Sequence, residues 1–217
     1  MKKKINFRSV NPDLQVPHPI PSSKAIPDWY RTSKPFVDGN ETLKKCVPFL
    51  DSMTAGYTIT LASDVFFNKG IPQDISVTGV VHSHADNQIG DLKIPAEYHK
   101  KVYKWINSFI LKTPKGYSTL FTHPANRVDL PFYSFSGVVD TDKFPIEVNF
   151  PFLVKKDFVG IIPAGTPIAQ AIPIKRDDWT SSIEDSKSYE PPAFTHTMHN
   201  PPFNFYKKNF WTRKKYI

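Results

Sequence analysis

Apolar and polar positions alternate along much of this chain. In GYTITLASDVFF, Tyr57, Ile59, Leu61 and Ser63 fall on one side and Thr58, Thr60 and Ala62 on the other. That period of two predicts a strand with one buried face. KKCVPFLDSM before it and ISVTGVVHSH after it read as further strands, the second burying Ile75, Val77 and Val81. One segment has a different period. In PAEYHKKVYKWINSF, Tyr98, Val102, Trp105, Ile106 and Phe109 recur at spacings of three and four, with Pro95 at the start. That predicts a single helix, giving way to a strand over 109–112. TPKGYSTLFTHP predicts a turn at 114–116 and then a strand. YSFSGVVDTD, FPIEVNFPFLV, FVGIIPAG and PIAQAIPIKR predict four more, separated by turn residues. The pattern as a whole predicts an all-β domain over 44–179.

The flanks are different. Residues 1–43 carry Pro12, Pro17, Pro19, Pro21, Pro27 and Pro35, which exclude a long helix or a central strand. An extended surface arm is expected there, anchored by Trp29 and Tyr30. Residues 180–217 read as an extended, Pro-rich linker ending in the basic tail YKKNFWTRKKYI.

Composition narrows the class. Hydrophobic residues make up 40% of the 217, enough to build a core. The single cysteine, Cys46, excludes an intramolecular disulfide and any cysteine-based metal cluster. No apolar run approaches the ~18 residues of a membrane span. MKKKINFRSV has a basic tip but no apolar segment behind it. The expectation is a protein that is not secreted and not in the membrane, either cytoplasmic or virion-associated. The formal net charge is +8, with the excess concentrated at the two ends. A basic, aromatic tail suits contact with nucleic acid; a solvated or subunit-docking tail is the plainer reading.

Four short pieces then fall in a telling order: TAGYTITLASDV, PKGYSTLFTHPANRVDLP, SGVVDTDKFPIEVNFPF and IPAGTPIAQAIPIKR. Together, over 47–176, they resemble the motifs of the dUTPase and dCTP deaminase superfamily, whose fold is the β-clip. GVVDTD and GTPIAQ are the nearest matches. The resemblance implies a β-clip domain, here with one inserted helix and extended termini. It also implies a homotrimer with sites shared between subunits. Asp140 matches the aspartate that activates water in dUTPases, and Gln170 matches a glutamine that contacts phosphate. Asp142 and Arg127 stand where they could add to a ligand site. The plainer readings remain beside these. Aspartate is favoured in tight turns because its side chain bonds the local backbone, and Gln170 fits an ordinary strand position.

The departures bear on chemistry. Thr58 stands where the family has a metal-associated aspartate, and a hydroxyl cannot supply the charge that holds magnesium's water shell. HPANRVD replaces the Arg-Ser-Gly phosphate segment, Lys143 replaces the aromatic that packs on deoxyribose, and no glycine follows residue 176. Phosphoryl transfer depends on positioning and charge stabilisation, and one lost donor costs about 10²–10³ in rate. The deaminase branch fares no better, since Phe150 stands where its glutamate would fall. The expectation is a lapsed relative that binds a nucleotide or small ligand near Asp140, or an oligomeric scaffold. A phage or viral structural protein is the alternative reading. No cofactor is expected, with magnesium needed only if hydrolysis survives.

A second class rests on histidines. His82 and His84 would share one face of a strand, and His123 could add a third nitrogen, the beginnings of a cupin-like transition-metal site. His196 and His199 fall in the linker.

Overall fold

Most of the expected alternation becomes strand in the computed structural model, which describes residues 3–10, 16–73, 79–184 and 205–217. In chain order the strands begin with β1 (Asn6–Ser9), β2 (Ile20–Pro21), β3 (Phe36–Val37), β4 (Asn40–Glu41), β5 (Tyr57–Thr60), β6 (Val65–Asn68), β7 (Ile71–Pro72) and β8 (Val81–Ser83). They continue with β9 (Tyr103–Trp105), β10 (Phe109–Lys112), β11 (Tyr117–Thr122), β12 (Phe132–Ser134), β13 (Gly137–Val139), β14 (Phe150–Val154), β15 (Gly160–Ile162) and β16 (Pro167–Lys175). Among the described residues three short α-helices accompany them, α1 (Asp28–Thr32), α2 (Val47–Thr54) and α3 (Phe205–Asn209). The described chain is all-β in class.

Two larger sheets share one core. The first has the order β13-β11-β16-β5-β2, and the second β12-β14-β9-β8. Ile59, Phe121, Ile168 and Ala171 from the first meet Tyr103, Trp105, Phe132, Phe150 and Phe152 from the second in a single buried cluster. At its centre Trp105 stacks on Phe152, centroids 3.8 Å apart and rings 5° from parallel, with Phe132 edge-on at 5.1 Å. A three-stranded sheet, β15-β6-β7, adds Val65, Phe67 and Ile162 to the same core.

Two expected elements take another form. The helix expected from Pro95 to Phe109 is absent: Tyr98 bridges to Lys155, and 103–105 is β9. The apolar positions there fit two periods at once. Tyr103 and Trp105 are buried with Lys104 between them, and β9 lies between β8 and β14. Cross-strand pairing on both sides therefore overrides the helical spacing. Asn107 then makes the break before β10. Its amide donates to the Phe109 carbonyl (2.8 Å) and accepts from the Phe109 N–H (3.1 Å), satisfying both backbone groups of the first residue of β10. Conversely, KKCVPFLDSM is not a strand but a 3₁₀ turn followed by α2. Pro48 occupies the first helical turn, where its missing N–H costs nothing, and Met53 is buried.

The N-terminal arm is woven into the sheets. β1 pairs antiparallel with β10 and β2 with β5. Of the two expected anchors, Tyr30 is buried, whereas Trp29 remains 39% exposed, edge-on to Tyr30 and near Phe49. Lys44 locks α1 from its C-terminal end: its ammonium donates to the carbonyls of Tyr30 (2.6 Å) and Arg31 (2.9 Å). Residues 205–217 lie against α2 and β5. Trp211 Nε1 and Lys214 Nζ both donate to Asp51 Oδ2 (2.8 and 2.6 Å), and Tyr57 Oη donates to the Ile217 carbonyl (3.2 Å). Most of the expected linker, including His196 and His199, lies outside the described residues. Among the described residues no helix is long and apolar enough to cross a membrane.

Candidate functional site

Asp140-Thr141-Asp142 follows β13 directly, and the sheet decides what meets it. The β11–β13 ladder sets Thr119 opposite Val139, so Asp140 arrives beside Ser118. Ser118 Oγ donates to Asp140 Oδ1 at 2.7 Å. β11 also pairs with β16, Tyr117 opposite Lys175, which brings the next residue, Arg176, to the same end. The Arg176 N–H bonds the Gly116 carbonyl at 2.9 Å, fixing the start of the side chain. Its guanidinium then spans both carboxylates, with Nη1 3.2 Å from Asp140 Oδ1 and 2.9 Å from Asp142 Oδ1, and Nη2 on Asp142 Oδ2. The Gly116 N–H adds a bond to Asp142 Oδ2 at 2.9 Å. Between the two aspartates Thr141 points inward, its hydroxyl bonded to those of Thr113 (2.8 Å) and Thr119 (2.7 Å). The Asp140 carbonyl closes the turn by accepting from the Lys143 and Phe144 N–H groups.

The clasp holds Asp142 ionised. The Arg176 hydrogen bond is the largest influence. Desolvation opposes it, and the Gly116 N–H and the Arg176 charge reinforce it, leaving the carboxyl at about 2. Because the folded value lies below the ordinary 3.8, the contribution to stability is complete above about pH 4. It is lost as the pH falls through that value toward 2. Urea midpoints of the wild type should therefore drop between pH 4 and pH 2, and those of Asp142→Asn should drop less over the same window. Parallel curves would show that the clasp carries no linked proton.

Gln170, Thr58 and Arg127 belong to a different place. Gln170 faces Thr58 across β5–β16 and Thr122 across β11–β16. That is four residues along β11 from Ser118, or ~13 Å at the rise of a strand. Gln170 is buried with its amide fully engaged. Oε1 accepts from the Ala125 N–H (3.0 Å), and Nε2 donates to the carbonyls of Ser52 (2.9 Å) and Ala55 (2.6 Å). Asn126, at φ +61°, donates to Ser52 Oγ (2.9 Å) beside it. HPANRVD is thereby stitched to the end of α2. Thr58 is buried and donates to Ser22 Oγ at 3.0 Å, tying β5 to the N-terminal arm. Arg127 forks onto Asp129, Nε and Nη2 each 2.8 Å from a carboxylate oxygen. Burial alone would raise the Asp129 carboxyl, but the Arg127 hydrogen bonds and charge outweigh it and leave it below the ordinary range. Within one chain, then, Asp140 and Asp142 come together, while Gln170 and Arg127 sit at the other end of β11. A cleft of about 540 Å³ runs past Arg127, Asp129, Lys24, Trp29 and Arg31.

The histidine triad does not form. His82 and His84 lie on and just after β8, one outer strand of the four-stranded sheet. His123 accepts on Nδ1 from the Ser134 N–H (3.3 Å) of β12, the opposite outer strand, and donates from Nε2 to the Arg127 carbonyl (3.1 Å). Both ring nitrogens are in use, and burial lowers its pKa despite the Arg127 carbonyl, so the ring stays neutral at pH 7. Among the described residues no three His, Cys, Asp or Glu side chains stand where they could hold one metal ion.

Arg176 and Ser118 are the members that sequence reasoning missed. Ser118 shares the YST segment with the recognised motif, and Arg176 ends the IPIKR strand. What unites them is the β11–β16 register, which neither segment states alone. The class that fold and site define is an all-β protein with an arginine clasp across the paired aspartates of one turn. No protein-family model matches the chain, and no curated protein does.

Proposed function

We propose that this is a lapsed dUTPase-like β-clip protein serving as a homotrimeric scaffold, its former catalytic motifs retained to hold the fold. The observation that carries this reading is the clasp. A general base needs a free carboxylate lone pair aimed at water beside a held phosphate. Asp140 keeps about half of its side chain exposed, but its Oδ1 is shared between Ser118 and Arg176, and the Arg176 charge that could meet a phosphate is divided between two carboxylates. Thr58 and Gln170, at the positions of the metal and phosphate groups, are buried on structural partners.

An exposed apolar face supports assembly from copies of this chain. On the outer side of β15-β6-β7, Phe66 stands directly opposite Ile161, and Asn68 opposite Ile71, with Val159 at the start of the same edge. These four hydrophobic residues are 41–58% exposed. Their outward rows contain no charged residue, the composition of an interface centre and not of a rim. Light scattering should give three times the 24.8 kDa chain mass, and Phe66→Lys with Ile161→Lys should return the monomer. A wild type that runs as a monomer contradicts the scaffold, and a double variant that stays trimeric removes this face from it.

A further inference from the structure

The positive charge is segregated more sharply than the net value shows. Residues 1–10 and 205–217 contain nine of the 28 lysines and arginines and none of the 20 acidic residues. The rest of the chain, with 19 basic and 20 acidic residues, is close to neutral. The fold then brings the two ends together on one side chain. Phe7 of β1 packs edge-on to Tyr57 at 5.2 Å and Tyr216 of the tail packs edge-on at 6.2 Å, with Tyr57 Oη bonded to the Ile217 carbonyl. Pairing with β10 fixes the N-terminal strand, and the Trp211 and Lys214 bonds to Asp51 fix the tail.

Lys214 is neutralised there by Asp51. Lys3, Lys4, Arg8, Lys207, Lys208, Arg213 and Lys215 are all exposed, and none takes part in an ion pair among the described residues. With no ion-pair partner for these seven among the described residues, meeting of the two cationic ends on Tyr57 sets like charges against one another, a cost that a polyanion would relieve. Aromatic side chains are set among them. Tyr206 and Phe210 are 44% and 51% exposed on either side of Lys207 and Lys208. Backbone charge together with ring faces matches single-stranded nucleic acid, whose phosphates pair with Lys and Arg while unpaired bases stack.

We propose that the two termini form one composite surface for single-stranded nucleic acid. The test is fluorescence anisotropy of a labelled oligo(dT) of about 20 nucleotides with the full chain over a salt series. Duplex DNA of equal length and phosphatidylserine vesicles serve as comparisons. If most of the seven cations engage, log K should fall with log salt at a slope of roughly −3 to −5. The Lys3→Gln/Lys4→Gln/Arg8→Gln and Arg213→Gln/Lys215→Gln variants should each weaken binding by about tenfold or more near 100 mM salt and flatten the slope. Tyr206→Ala should weaken binding without changing the slope. The inference is overturned by absent binding at low salt, or by either charge variant binding as the wild type does. It is equally overturned by duplex or vesicles binding as well as oligo(dT).

Discussion

Gln170→Leu is expected to lower the unfolding free energy by about 3–6 kcal/mol, read from urea unfolding at pH 7. Leucine fills the space but strands three partly buried backbone groups at once: the Ala125 N–H and the Ser52 and Ala55 carbonyls. Each unmet group costs about 1–3 kcal/mol. Gln170→Glu sharpens the test, because Glu keeps the acceptor for Ala125 and loses both donors while adding a charge that burial opposes. A residue kept to contact phosphate would behave in the opposite way, its removal affecting ligand binding and leaving stability unchanged. A loss below about 1 kcal/mol in Gln170→Leu would therefore contradict the structural role.

Gly56→Ala is the second large effect, expected at about 3–5 kcal/mol. Gly56 adopts φ +66° just before β5, where its carbonyl accepts from the Ser22 N–H at 3.1 Å. An alanine Cβ there would lie 2.1 Å from the Ala171 carbonyl oxygen and 2.9 Å from its carbon, both backbone atoms of the central strand β16. Two costs add: the left-handed backbone and a clash that only movement of β16 can relieve. Gly39 separates them. It has a similar φ of +78° but nothing within 4 Å of a new Cβ, so Gly39→Ala should cost only the conformational part, about 1–2 kcal/mol. Equal midpoints for the two variants would show that the close approach to β16 is not tight.

These two residues also mark what the sequence could reveal. AGY announces a glycine before a strand, and the alternation announces the strand at Tyr57–Thr60, but not its burial, since Thr58 is buried as well as Ile59. Strands were equally legible at Tyr117–Thr122, Phe150–Val154 and Pro167–Lys175, and each of these also buries consecutive residues on both faces. The 95–109 segment was misleading because Tyr98, Val102, Trp105 and Phe109 satisfy a helical period. Only the neighbours of β9 on both sides decide for strand. KKCVPFLDSM was ambiguous in the opposite sense, and Pro48 at the helix start was the usable signal. At the site, the pairing of Asp140 with Asp142 was readable from GVVDTD. Their engagement with Arg176 was not, because it follows from a ladder between segments more than 50 residues apart in the chain. The histidines show the same limit: spacing put His82 and His84 side by side, but His123 reaches the opposite outer strand of the same sheet.

As part of a structural clasp, Asp140 should drive no phosphoryl chemistry. The most direct test is pyrophosphate release from dUTP with magnesium, comparing the wild type with Asp140→Asn. The clasp predicts that neither exceeds the rate without protein. Magnesium-dependent turnover by the wild type that Asp140→Asn lowers by about 10²-fold or more would contradict it.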